Sequence, residues 1–72
     1  MNKPLLESFM KRHGDTGTSL AEYLGISRGT FSSKLNEYKG YDFTQEEIIL
    51  IKERYKLTPE ELDAVFFSRN VS

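Results

Sequence analysis

Six residues between Ser27 and Asn36 form a pattern suited to hydrogen-bonding chemistry. If the segment is helical and Phe31 and Leu35, four apart, face inward, then Ser27, Arg28, Gly29, Ser32, Ser33 and Asn36 turn outward together. That face holds no carboxylate, and Arg28 is its only side chain able to form a bidentate pair with a planar acceptor. The other candidates for chemistry have local explanations. His13, the sole histidine, stands where a helix is expected to end, so a cation there meets the helix dipole favourably, and no second ligand cluster lies near it in sequence. Glu46-Glu47 and Glu60-Glu61 fall in expected first helical turns, where acids close capping boxes and complement the dipole without any catalytic partner. The sequence has no Gly-rich phosphate loop, nucleophile elbow or zinc-ligand spacing, so neither enzymatic activity nor a metal or cofactor is expected.

The elements that must position the outward face are legible from periodicity and caps. Leu5, Leu6, Phe9 and Met10 make one stripe of a first helix that starts near Asn2 or Lys3, tolerates Pro4 in its first turn and stops at Gly14. Thr16 or Thr18 is placed to cap a second helix carrying Leu20, Ala21 and Leu24. Gly25 stops it, and Ser27 caps a third helix from Arg28 to about Asn36, followed by a loop over 37–42. Phe43-Thr44-Gln45-Glu46-Glu47-Ile48 and Leu57-Thr58-Pro59-Glu60-Glu61-Leu62 repeat one code: apolar residue, Thr N-cap, Glu three residues on, apolar residue. Each is a capping box inside a hydrophobic staple, predicting a fourth helix from Gln45 to about Tyr55 and a fifth from Pro59 to about Phe67. Residues 68–72 read as a frayed tail. The expected fold is one all-α domain over 1–67, a compact five-helix bundle with no strand, repeat or low-complexity segment.

Composition sets the outer bounds. Seventy-two residues with 38% apolar side chains suffice for one small core and exclude a multi-domain enzyme. With no cysteine, helix packing alone must stabilise it. Ile48, Ile51 and Tyr55 share one face of the fourth helix, leaving Ile49 and Leu50 partly off it, and the adjacent Phe66 and Phe67 cannot both point inward. The surplus would serve a homodimer or another protein partner. The longest apolar run, Ile48 to Ile51, is far too short for a membrane span, and Met1-Asn2-Lys3-Pro4 has no signal-peptide core, so a cytoplasmic protein is expected. A formal charge of −1 argues against generic adhesion to nucleic acid. Six cations against four acids in residues 1–40 confine any nucleic-acid face to that part, since 41–72 hold four cations against seven acids.

The stretch GTSLAEYLGISRGTFSSKLN, Gly17 to Asn36, places Ala21 four residues before Gly25, then Ile26 and Phe31, with Leu20 and Leu24 flanking. Two short helices crossing steeply need such a set: a small residue for close approach, a glycine for positive φ, and apolar wedges. The pattern resembles the helix-turn-helix of the phage repressor and Cro (XRE) family, and the resemblance extends to the five-helix layout. Lys34 departs from it, since the family often has an apolar residue there. The resemblance implies that the third helix enters the major groove. Arg28 would reach guanine O6 and N7, Ser32 and Ser33 would touch base edges or phosphates, and Gly29 would permit close backbone approach. Ser27 and Asn36 would complete that DNA-binding face, with Thr18 and Lys39 on phosphates.

In length and in the stretch MNKPLLESFMKRHGDTGTSLAEYLGIS the chain is also similar to the modulator-of-repression (antirepressor) proteins of temperate lactococcal phages. That resemblance implies a regulator of the lytic–lysogenic switch that occupies the lysogenic (CI-type) repressor protein instead of its operator. Asp15, Glu22, Glu37 and Asp42 lie around the motif, where they would repel phosphate and suit docking on a basic repressor surface. The alternative is a conventional Cro-like protein that binds operator DNA itself, and a third class is a purely structural helical module.

Overall fold

Each helix begins at a side chain that caps it. In the computed structural model, which describes residues 1–67, the Asn2 side chain accepts the Leu5 N–H and opens α1 (Lys3–His13), with Pro4 in the first turn. Thr16, not Thr18, caps α2 (Gly17–Leu24). Its hydroxyl accepts the Ser19 N–H while Ser19 Oγ accepts the Thr16 N–H, a reciprocal box built with serine at the third position. Ser27 caps α3 (Arg28–Leu35), and Thr44 and Thr58 cap α4 (Gln45–Tyr55) and α5 (Pro59–Leu62) through boxes closed by Glu47 and Glu61. Among the described residues the protein is all-α, with no strand.

Helix ends diverge more from expectation than starts. Gly25, at φ 76°, closes α2 by donating its N–H to the Glu22 carbonyl, and Ile26 donates to that of Ala21. α4 ends instead at Lys56, which holds φ 53° although it has a Cβ. The expected loop after α3 contains a one-turn 3-10 segment, Tyr38–Gly40. The expected fifth helix keeps its α geometry for one turn only and continues as a wider π turn over Asp63–Phe67, where the Val65 carbonyl accepts the Asn2 N–H at 2.7 Å. The tail expected at 68–72 lies outside the described residues.

Leu6 and Met10 from α1, Leu20, Ala21 and Leu24 from α2, Phe31 from α3 and Ile51 from α4 meet in one core with Phe43, Leu57 and Val65. Phe43, the staple residue before α4, touches Phe31 at 5.9 Å and Phe66 at 6.0 Å between ring centroids, tying α3 to the C-terminal turn. Phe66 packs on the core while Phe67 stays exposed, as two adjacent positions must. Leu35, expected inside, is half-buried.

Thr58 supplies a backbone partner at an exposed helix start. Thr58→Ala lowers the unfolding free energy by about 1 kcal/mol, a fall in Tm of roughly 4–8 °C for a domain of this size, measured by circular dichroism. An unchanged melting curve would remove the cap from the list of forces that start α5.

Candidate functional site

Of the six residues expected on the outward face of α3, five are exposed and Ser33 is half-buried, and much of their hydrogen-bonding capacity is engaged within the chain. Ser27 Oγ accepts the Thr30 N–H at 3.0 Å and donates to Thr30 Oγ1 at 2.9 Å. Asn36 Nδ2 donates to the Ser32 carbonyl at 3.0 Å, and its Oδ1 accepts from Lys3 Nζ at 2.6 Å. Ser32 is exposed and Ser33 half-buried. A Cβ at Gly29 would meet nothing within 4 Å, so the fold itself does not require glycine there.

Arg28 is exposed, yet its side chain lies back over the start of α2. A Cβ built on Gly17 would stand 2.9 Å from Arg28 Nε and 3.6 Å from Cζ, so a side chain there would displace the guanidinium from this position. Thr18, the next residue, is exposed at this N-terminal end of α3, whereas Lys39 lies beyond the other end with its ammonium 5.4 Å from the Tyr38 ring. The two expected phosphate contacts thus bracket the helix. Lys3, delivered by α1, joins the face beside Asn36; no local pattern marks a partner 33 residues away.

The second cation of α3 points inward. Lys34 Nζ donates to both Glu47 oxygens, at 2.7 and 2.9 Å, and Glu47 Oε1 also accepts the Thr44 N–H. Burial pushes the Glu47 carboxyl up, but the hydrogen bonds from Lys34 and Thr44 outweigh it and hold its pKa below the ordinary value. The departure from an apolar residue at position 34 is therefore matched by a carboxylate on α4.

The four acids expected to form one docking rim do not. Asp15 turns into the protein: its side chain is only 3% exposed, and its two oxygens accept from Arg54 Nε and Nη2, both at 2.7 Å, from Tyr55 Oη at 2.6 Å and from Ser19 Oγ at 2.7 Å. The hydrogen bond from Arg54 is the chief reason its pKa lies well below the usual carboxylate range. Burial, followed by the bond to Asp15, raises that of Tyr55. A carboxylate so enclosed cannot meet a partner, so Asp15 is removed from the candidate docking residues. Glu22 stands exposed on α2, while Glu37 and Asp42 are exposed and line one groove with Phe43 and Phe66.

His13 ends α1 with its ring edge on Tyr55, centroids 5.2 Å apart, beside an open cleft shared with Arg12 and Lys56. Among the described residues no cluster of His, Cys, Asp and Glu could hold a metal ion, and no helix is long and apolar enough to cross a membrane.

Because the folded pKa of Asp15 is depressed, its contribution is complete above the unfolded value, near 4, and is lost as pH falls below that value. Asp15→Asn should cost about 2–3 kcal/mol at pH 7. The gap between variant and wild type should narrow from pH 5 to pH 3 in denaturant titrations. A gap that stays constant over that range would mean that the charge of Asp15 does not stabilise the fold.

Comparison with family models, curated proteins and solved structures finds no match to this chain.

Proposed function

We propose that this chain is a helix-turn-helix regulator of a phage lytic–lysogenic switch, with α2 and α3 as the motif, that acts by binding the lysogenic repressor protein and covering its operator-contacting surface. The observation that carries the proposal is the charge left outside. Of the two cations on α3, Lys34 is bound to Glu47, which leaves exposed Arg28 and, beyond the helix, Lys39 against the exposed acids Glu22, Glu37 and Asp42. A protein that holds operator DNA by counterion release needs several free cations facing phosphate, and carboxylates near them weaken the attraction. The same carboxylates complement a repressor's basic DNA-binding surface, and occupying that surface excludes DNA sterically. Such a regulator works in the bacterial cytoplasm and needs no cofactor or catalytic residue.

A second reading, a Cro-like protein that binds the operator itself, draws support from the exposed face of α3, which has no carboxylate and gains Lys3 beside Asn36. Arg28 would then be its main base-reading side chain.

Titration calorimetry against the lysogenic repressor of the same switch, and gel shifts with that repressor's operator at fixed salt, separate the two. The proposal predicts repressor binding by the wild type, no operator binding by the wild type alone, and weaker repressor binding by the triple variant Glu22→Lys/Glu37→Lys/Asp42→Lys. That variant should adhere better to DNA, because each reversal adds repulsion toward Lys and Arg and attraction toward phosphate. Specific operator binding by the wild type, reduced by roughly 1–3 kcal/mol in Arg28→Ala, together with no repressor binding, would select the second reading.

A further inference from the structure

The acids that remain exposed are not equivalent. Glu37 and Asp42 stand at the edge of a groove of about 310 Å³ whose apolar lining comes from Phe43, Ile48 and Phe66, with Phe67 beside them. Among the described residues, no lysine or arginine lines it. The Met1 amine stands there, 3.3 Å from one Glu37 oxygen, and the Glu37 side chain is still 49% exposed. Phe67, at 55% exposure, carries the apolar lining of the groove out to its edge.

The segment between the two acids adds a second, independent observation. Tyr38 and Tyr41 are 56% and 51% exposed, and tyrosine offers broad contact area at low entropic cost. The backbone that presents them is held in a costly form: Glu37 and Lys39 both carry a Cβ and both hold left-handed conformations, at φ 53° and 50°. The Glu37 side chain pairs with the Met1 amine, and the Lys39 ammonium lies 5.4 Å from the Tyr38 ring. Strain kept at an exposed loop that displays two aromatic rings between two acids, with its single cation, Lys39, set on the Tyr38 ring, has the form of a preorganised docking surface beside the apolar groove.

We infer that the groove bounded by Glu37, Asp42 and Phe67, together with the Tyr38–Tyr41 loop, is the docking surface for an amphipathic protein segment that presents apolar side chains flanked by lysine or arginine. The apolar floor takes the apolar side chains, the two carboxylates pair with the flanking cations, and the tyrosines close over the edge. This rests on the proposed role as a repressor-binding protein and deepens it: the contact is made by the end of α3 and the start of α4, and Glu22 on α2 lies outside it.

Asp42→Lys and Phe67→Ala alter exposed side chains and should leave the melting curve unchanged, and Glu22→Lys is the matched charge control. Against the repressor, the two groove variants should each weaken binding roughly tenfold or more, with the control within about threefold of wild type. Repressor binding equal to wild type in both groove variants would overturn the groove assignment while leaving the repressor-binding role standing. If the wild type does not bind repressor, that role fails, and the groove is judged with a 14-residue amphipathic peptide of leucine and lysine, followed by amide shifts in NMR. Shifts at Ile48 and Phe66 that Asp42→Lys abolishes, and that a leucine–glutamate peptide does not produce, support the groove; no shift at either residue overturns it. Two further results would also overturn it by naming another occupant. One is self-association lost in Phe67→Ala, which assigns the surface to a second copy; the other is peptide binding gained only on removal of residues 68–72.

Discussion

A carboxylate withdrawn from water is tolerable only when its lone pairs are filled, and Asp15 has all of its near neighbours arranged to do so. Arg54 approaches with two N–H groups, Tyr55 and Ser19 with one hydroxyl each, and the result ties the α1–α2 turn to the last turn of α4. The Tyr23 ring of α2 lies 4.5 Å from the same guanidinium, so α2 is held to α4 by that cation as well. At the opposite end of α4, about 10 Å away along the axis, Glu47 holds Lys34 of α3. The α2–α3 pair is thereby fixed to α4 at two points by directional polar contacts, with Phe31 and Leu20 filling the space between them. Replacing either pair with hydrophobes of similar volume need not cost stability, but removing one member would leave a buried charge alone.

This arrangement decides which charges face outward. Lys34 is among the cations of residues 1–40 that a bare count makes available to nucleic acid, yet it is paired internally, as is Arg54 of α4. The outer side of α3 keeps Arg28 and borrows Lys3, and its capping serine and terminal asparagine already have partners. What remains at the surface is a polar helix of low charge next to a loop with two acids and two tyrosines. On the proposed role, the motif has been kept as a shape and turned toward a protein partner.

Local chemistry made most of the fold legible in advance. The Thr44 and Thr58 boxes, Gly25 in its left-handed turn and the inward spacing of Phe31 are properties of neighbouring residues, and each occurs as the sequence suggests. Misjudged features depend on distant partners or on ends without a marker. Asp15 looks like an ordinary turn acid because Arg54 is 39 residues away, and Lys34 looks misplaced because its carboxylate is on the next helix but one turn of chain has no period to reveal it. Lys56 ends α4 without the usual glycine, and the widening at Asp63 follows no residue type that breaks a helix. For the candidate site the outward set of residues was readable, but their internal hydrogen bonds were not, since Lys3 and Gly17 reach the face only through tertiary packing.

On the proposed role, the protein acts on a repressor and not on DNA. Hydroxyl-radical footprinting of the operator tests it most directly, with repressor bound first and this protein then added in excess. The repressor footprint should disappear with no new protected region in its place. A footprint that persists, or one replaced by protection due to the added protein, would contradict the claim.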